Sequence, residues 1–574
     1  MRNTIHTVDF CVVGGGLAGM CAAIAAARHG LKVALMHDRP VLGGNASSEI
    51  RMWICGAKGK NNRETGLIEE IQLENLYRNT YPNYSIWDSI LYEKVRFEKN
   101  ITLLLNCSCN DAVVRGARIV SIKGWQLTSE TGHMVKAEYF ADCSGDSILA
   151  PLSGAEFRIG REASAEFNED IEPPLADKKT MGMSCLLQAR ETDSPKKFTA
   201  PSWAGKYLSD KDLPCRNHAL RGSHNFWWLE LGGDQDAIHD AEILRDKLLK
   251  AAFGVWDHIK NQGDHGAENW MLEWVGFLPG KRESRRYVGD YIMTQNDVRA
   301  EGRFEDIAAY GGWPMDDHHP AGLCHPGQPT IFHPAPSPYG IPYRSLYSRN
   351  IKNLFFAGRN ISATHAAMSS MRVMATCATL GQAVGTAAYT GLAHGLSPRA
   401  VYQKKMAVLQ QTLMEDDAFL PWKRRAVPAL TAMAELLAAE GDPEPLRNGV
   451  DRPVGEAHNC WTGNAGAWIE YRFQHPKRVR EARMVFDSDL NRETRNMPSC
   501  YPLVLPAHRV PKTMTKKFRI EAFLNNKWGT IAREDNNYQR LVRVKINTTA
   551  PALRLILEAT WGAERATLFA FDVR

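Results

Sequence analysis

No C-x-x-C pair occurs among the twelve cysteines of this 574-residue chain, which removes the usual zinc, iron–sulfur and thioredoxin-like signatures. No metal site is expected. Cys11, Cys21 and Cys377 stand in apolar or alanine-rich stretches, as suits reduced thiols acting as small core residues. No apolar run reaches the roughly 18 residues of a membrane span. Basic residues gather no more densely than in Lys423-Arg424-Arg425, so neither membrane nor nucleic acid is an expected partner. The first apolar run follows about eight polar residues with no cleavage pattern behind it, and the expected location is cytoplasmic. What is present is ordinary for a globular chain: 44% hydrophobic, 23% charged, a net charge of +6 over 70 basic and 64 acidic residues. The length calls for two or three domains.

The stretch from Asp9 to Arg39 reads as strand, glycine turn, helix and strand, with Gly14, Gly16 and Gly19 spaced G-x-G-x-x-G. Among 45 glycines such a spacing can arise by chance. Its context is what confirms it, because the apolar run Phe10 to Val13 precedes it and an alanine-rich helix follows. Gly14 allows the sharp turn, Gly16 clears space for a pyrophosphate, and Gly19 lets the helix pack close. Leu17 and Ala18 open the helix whose free N–H groups face the phosphates. The residues expected at the ribose are His37, Asp38 and Arg39: His37 stands where an acid is usual, and it could donate, Asp38 accept, or the backbone and Arg39 serve.

The glycine doublet in Val41-Leu42-Gly43-Gly44-Asn45, with Ser48 beyond it, stands at the spacing of FAD-binding proteins of the glutathione-reductase type, which this segment resembles. Tyr139 to Asp146, including Ser144 and Gly145, looks like the motif by which such chains return to the FAD domain after an antiparallel excursion. Asn353 to Ala388 supplies a third motif: a strand, a Gly358-Arg359 turn and a long helix of small residues. The resemblance implies that this helix, near Arg372 and Val373, points its amino end at the flavin, where a helix dipole favours negative charge. It also implies a backbone contact to adenine near Cys109. The further blocks GGNASSEIRMWICGA, FWWLELGG, GKRESRRYVGDYIMTQND and GGWPMDDHHPAG resemble the FAD-dependent oxidoreductase family found among bacterial carbohydrate-utilisation proteins. The cofactor so implied is FAD, the partners a small carbohydrate-like substrate and an unidentified electron acceptor.

The expected fold class is α/β: a Rossmann-like FAD-binding domain with an inserted α+β substrate domain, followed by a C-terminal β-sandwich. The boundaries expected are 1–152 and 346–398 for the FAD domain, 153–345 for the insertion, 399–447 for a helical linker and 448–574 for the sandwich. Within the linker, 399–415 and 426–439 read as helices. From about Asn448 short strands with turn signals take over, resembling galactose-binding-like jelly rolls. That module is expected to fold by itself.

If an alcohol carbon gives hydride to a flavin, the protein must supply a base for the hydroxyl proton. The candidates are His365 and the Asp316-Asp317-His318-His319 cluster in a long loop rich in Pro, Gly and His, with Asp316 and His318 foremost. Histidine suits the task because its ordinary pKa of about 6.5 lies near working pH. One arginine of the cluster Arg282, Arg285 and Arg286, with Arg282 foremost, could hold a substrate carboxylate or hydroxyl, or the flavin anion; a structural Arg–Glu network is the other reading. Arg372 could face the reduced flavin or pair with an insertion carboxylate. Cys55 lacks the partner of a redox disulfide, since position 60 is Lys60. The function expected is oxidation of a CH–OH group of a carbohydrate, glycoside or polyol. A redox-neutral lyase or isomerase, and a non-catalytic carbohydrate-binding protein with a flavin fold, are the alternatives.

Overall fold

The computed structural model describes residues 2–222, 225–493 and 496–574. They form two compact units, one of Met1–Ala57, Tyr81–Leu409 and Arg495–Ala507, the other of Lys58–Thr80, Gln410–Thr494 and His508–Arg574.

The first unit is built on a seven-stranded sheet. Strand β1 (Arg2–Val13) leads through helix α1 (Leu17–Arg28) to β2 (Val33–Met36); β3 (Ile101–Leu104), β4 (Cys107–Arg115), β5 (Arg118–Gln126) and β6 (Thr131–Asp142) follow. β1 lies between β2 and β6 and parallel to both, and β3 extends the parallel run beyond β2. The other edge of β6 is shared: Thr131–Lys136 takes β5 antiparallel, while Phe140–Asp142 takes the strand Leu354–Phe356 in parallel. Phe10, Cys11 and Val12 are fully buried, as a parallel strand covered on both faces requires. The strand order reverses at β1, so a crevice opens at the carboxyl ends of β1 and β6, where open α/β sheets bind ligands.

The long helix expected after Gly358 is two helices, His365–Met371 and Met374–His394, because Val373 is extended (φ −65°, ψ 144°). The break gives the second helix its own amino end. That helix lies very close on α1, since a Cβ on Gly381 would stand 2.0 Å from the Ala18 carbonyl oxygen and one on Gly385 2.2 Å from that of Ala22.

The insertion holds short antiparallel pairs around the helix Ala241–Asp257. The long Pro/Gly/His loop is not irregular as expected. It contains a hairpin in which Met315–His318 pairs with Thr330–His333, and side chains on a strand alternate between faces.

The second unit is an antiparallel sandwich in which Trp468–Phe486 and Leu541–Thr560 run as long ribbons through register shifts, the bulges that bend a strand. The segment expected as helix 426–439 is the short helix Ala429–Met433 and then the strand Glu435–Ala438, which pairs with the ribbon at Ile469–Arg472. Pairing and the burial of Leu436 override the helix propensity of an alanine-rich run. Residues 58–80 contribute the helix Leu67–Arg78, whose Leu73 and Leu76 share one core with Ile469, Tyr471, Phe518 and Leu555. The Arg425 guanidinium meets buried Asp451 and Asp572 at 3.1 and 2.9 Å.

The unit's core therefore extends beyond the sandwich strands. A fragment of residues 448–574 leaves Asp451 and Asp572 without Arg425 and bares the faces that Leu73, Leu76 and Leu436 cover. The expected outcome is no cooperative thermal transition in that fragment. Adding 410–447, and 58–80 through a flexible linker, restores one. Cooperative unfolding of 448–574 alone, followed by circular dichroism, would show those contacts to be dispensable.

Candidate functional site

At the crevice, β1 ends at Val13 and β6 at Asp142 in register, and the Cys143 N–H donates to the Val13 carbonyl (2.7 Å). Gly14 turns there with φ +105°, and a Cβ on it would lie 2.4 Å from the Cys143 carbonyl. Gly19 packs the helix onto this turn, since its Cβ would stand 1.8 Å from the Gly14 oxygen. Gly16 differs. Its φ of −67° is open to any residue, and a Cβ there would meet nothing nearer than Gly44 Cα at 3.9 Å. Protein packing does not require glycine at position 16, the position expected to clear space for a pyrophosphate.

The glycine doublet docks on this turn backbone to backbone, with the Gly43 N–H donating to the Gly15 carbonyl (2.8 Å). His37 fastens both loops. Its Nδ1 accepts from the Gly15 N–H and its Nε2 donates to the Val41 carbonyl, each at 3.0 Å. Burial lowers its pKa, so the ring is neutral. Both ring nitrogens are thus committed to the cradle and neither is free for a ribose, while the neighbouring Asp38 side chain is 58% exposed.

The resulting cleft of about 310 Å³ is lined by the expected Gly14, Gly16, Leu17, Ala18, His37, Asp38, Arg39, Gly43, Gly44, Asn45, Cys109, Ser144, Gly145, Asp146, Arg359 and Arg372. Gly19, Ser48, Gly358 and Val373 stand outside that lining. The Ser48 N–H is held by Asp88 (3.1 Å), and Val373 sets the helix break. The sequence reading missed Lys281, Met374 and Cys377, which also line the cleft. Lys281 was findable, because it opens the basic block that holds Arg282 and Arg285.

The cleft suits an anion. Arg39, Lys281, Arg285, Arg359 and Arg372 face it against the carboxylates Asp38 and Asp146. Asp146 accepts from Lys281 Nζ (2.7 Å), Arg359 and Ser284 Oγ (2.8 Å). Burial works against its charge, but Arg359 and Lys281 hold its pKa well below the usual carboxylate range. No side chain among the described residues caps α1 or the helix Met374–His394; the Cys55 carbonyl takes the Ala375 N–H of the second (2.9 Å), while the first turn of α1 is open to phosphate oxygens. These features fit a dinucleotide.

The alternation of the hairpin sorts the candidate catalytic residues. Asp316 and His318 share one face. Asp316 accepts from Arg372 (3.1 Å) and Thr330 (2.6 Å), and His318 bridges Asp316 (3.3 Å) and Glu230 (2.6 Å). Burial would raise the Asp316 pKa, yet His318 and Arg372 pull it far down, which makes it a weak base. Asp317, on the opposite face, meets His365 Nε2 at 3.3 Å, while Glu283 takes His365 Nδ1 at 2.9 Å.

His365 was expected as a neutral base. Burial does disfavour its charge, but Glu283, Asp317 and nearby Glu172 raise its pKa well above the ordinary imidazole value. It stands as an imidazolium, a proton donor. Glu172, absent from the sequence reading, accepts from the Ala366 N–H (2.7 Å), while its Oε2 is buried with no hydrogen-bond partner among the described residues. Burial, aided by Glu162 and Glu169 and opposed by His365, pushes its carboxyl up to about 7. Arg282 is buried and spent on structure, donating to Ser184 Oγ (2.9 Å) and the Trp227 carbonyl (2.7 Å) beside Glu230 (3.4 Å). The Arg–Glu network, not a substrate clamp, is its setting.

A family model described as FAD dependent oxidoreductase matches residues 9–413. Among curated proteins none matches the chain. Similar solved structures include the family 32 carbohydrate-binding module from Streptococcus pneumoniae EndoD, at 14% identity over 26% of this chain and 97% of that one, with a TM-score of 0.20. The C. perfringens NanJ module in complex with galactose is similar at 9% identity over 25% and 95%, with a TM-score of 0.19. Thermovibrio ammonificans THI4 is similar at 16% identity over 30% and 76%, with a TM-score of 0.21. These likenesses each concern part of the chain and carry no argument about its substrate.

Two glycine substitutions separate ligand space from packing space. Gly16→Val should fold with a near-normal thermal midpoint and lose the flavin absorbance. Gly19→Ala forces α1 off its turn and should lower the midpoint, as overpacking costs about 1–3 kcal/mol. Full flavin content in Gly16→Val would place the pyrophosphate elsewhere.

Proposed function

Because the chain belongs to the FAD dependent oxidoreductase family, we propose that it is an enzyme that dehydrogenates a CH–OH group of a carbohydrate, glycoside or polyol, with Glu172 taking the hydroxyl proton. When bound in the cleft, FAD supplies the acceptor for a hydride. The glycine turn, the doublet and Lys281, Arg285 and Arg359 hold its phosphates, and Asp38 meets its ribose.

One observation carries the reading: a buried carboxyl held up to about 7, with a free Oε2, beside an imidazolium locked between two carboxylates. A general base works best when its pKa lies near the working pH, and among the groups around His365 Glu172 meets that condition. Asp317 is the most open of the triad, its side chain 22% exposed against 2% for His365 and 0% for Glu283. It accepts a hydrogen bond from a substrate hydroxyl and orients it, while His365 stabilises negative charge as the proton leaves. Several carboxylates on one substrate suit a polyhydroxylated compound. Trp227, 5.1 Å from the His318 ring, and Trp313, whose Nε1 reaches Asp316 at 3.5 Å, add faces on which sugar rings stack.

The protonated state of His365 also favours a second reading, in which it donates a proton to a leaving group in a redox-neutral elimination. Anaerobic mixing with a panel of sugars, glycosides and polyols separates the two. Bleaching of the flavin band supports dehydrogenation; product formed under an unbleached band supports elimination.

Ionised Glu172 predominates above its pKa, so flavin reduction should slow as pH falls below about 7. Glu172→Gln should keep FAD, abolish that inflection and slow reduction by about 10²- to 10⁴-fold, the usual weight of a general base. An unchanged rate and pH profile in Glu172→Gln would remove the base from this position.

A further inference from the structure

Four side chains of the insertion converge away from the dinucleotide cleft. Asp210, His218, His258 and His265 bring one ligand atom each to within 4.8 Å of one another. Asp210 Oδ1 lies 2.9 Å from His258 Nε2, 3.3 Å from His265 Nε2 and 3.7 Å from His218 Nδ1, and the two Nε2 atoms stand 3.2 Å apart. Four ligands about 2.0–2.1 Å from a tetrahedral zinc ion are separated by about 3.3 Å. The edges of this cluster scatter around that length.

The contacts of His258 suit a ligand role. His258 Nδ1 is 3.0 Å from the Tyr207 carbonyl, an acceptor, so Nδ1 carries the hydrogen. With Nδ1 so used, the fully buried Nε2 faces a carboxylate oxygen 2.9 Å away. A proton on Nε2 that donates to Asp210, or a metal cation between the two atoms, satisfies this contact. An imidazole whose other nitrogen donates to a carbonyl is also the usual setting of a metal-bound histidine.

Local structure presents the set. The helix Ala241–Asp257 ends in a π turn, His258–Gln262, a distortion frequent at functional sites. Asp210 opens a 3₁₀ turn fixed by the Ser209–Asp212 capping box.

We propose that Asp210, His218, His258 and His265 form a structural site for a divalent first-row transition-metal cation, Zn²⁺ being the best match to three imidazoles and one carboxylate. Four protein ligands close the coordination sphere, which marks a structural rather than a hydrolytic site. The ion ties the segment 210–218 to the end of the long helix. Two residues before His218, Arg216 donates to the carbonyls of Gly322, His325 and Gly327, in the connection between the hairpin strands that carry Asp316 and Thr330. Metal binding therefore stiffens the support of that hairpin.

The test uses tag-free full-length protein, stripped with EDTA and titrated with Zn²⁺ by calorimetry. About one equivalent should bind, and the thermal midpoint should rise with it. Co²⁺ in its place should give tetrahedral visible bands to the red of the flavin. The double variant Asp210→Asn, His265→Gln should lose the bound equivalent and the rise in midpoint while retaining FAD. Zn²⁺ uptake no greater in the wild type than in the variant overturns the site. Should the variant fail to retain FAD, the wild-type Co²⁺ spectrum decides: no tetrahedral bands overturns the proposal.

Discussion

The carboxylate of Asp142, at the carboxyl end of β6, joins three segments that are far apart in the chain. It accepts from the Ser144 N–H (2.9 Å) and Oγ (2.6 Å), from the Leu149 N–H (2.8 Å), and from the Tyr287 hydroxyl (2.7 Å). Asn360 reaches it at 3.4 Å. Ser144 and Leu149 belong to the turn back into the sheet, Tyr287 follows the basic block of the insertion, and Asn360 follows the Gly358-Arg359 turn. Burial raises its pKa although each donor pulls it down. Removing such an acceptor leaves several buried donors unpaired, each at about 1–3 kcal/mol. The cleft exists because these segments meet at one point: Asp146, Arg359 and Lys281 become neighbours only once Asp142 has fixed the turn, the insertion and the third motif.

Charge is arranged differently in the two halves of this unit's chemistry. At the dinucleotide cleft cations outnumber carboxylates and the uncapped end of α1 faces the same space, so an anionic ligand would complete the electrostatics. Around His365 the carboxylates Glu162, Glu169, Glu172, Glu283 and Asp317 outnumber the cations His365, Arg286, Arg158 and Arg161. An excess of buried carboxylates is costly unless one takes a proton, and Glu172 is the one whose carboxyl is pushed up to about 7; among the described residues Glu172, Glu283 and Glu169 each have a buried oxygen with no hydrogen-bond partner. Arg372 belongs to both halves, lining the cleft while it pairs with Asp316. It thereby couples the position of the hairpin to the amino end of the helix Met374–His394.

Much of the cleft's lining could be read from the chain because each part is local. The glycine turn, the doublet and the return turn are each specified within a few residues, and their backbone geometry follows from the residue types. His37 shows where such reading stops. Its position was identified, but its role was not, since both its hydrogen bonds go to backbone atoms that the fold alone brings near. Arg282 was likewise placed in a meaningful block, but burial among Ser184, Trp227 and Glu230 decided its work.

The sequence by itself determined the β–α–β dinucleotide unit, the three FAD motifs, and the strand-rich texture of the last part of the chain, because strand alternation, helix periodicity and glycine turns are short-range signals. Tertiary structure decided what depends on long-range neighbours. It made the Pro/Gly/His segment a hairpin that sends Asp316 and Asp317 to opposite faces. It turned Glu435–Ala438 into a strand, and gave Leu73 and Leu76 to a core formed mostly some four hundred residues later. It also set the charge of His365 and the pKa of Glu172, which depend on desolvation and on carboxylates supplied by distant segments. No spacing along the chain encodes that field, because it exists only after the groups have left water together.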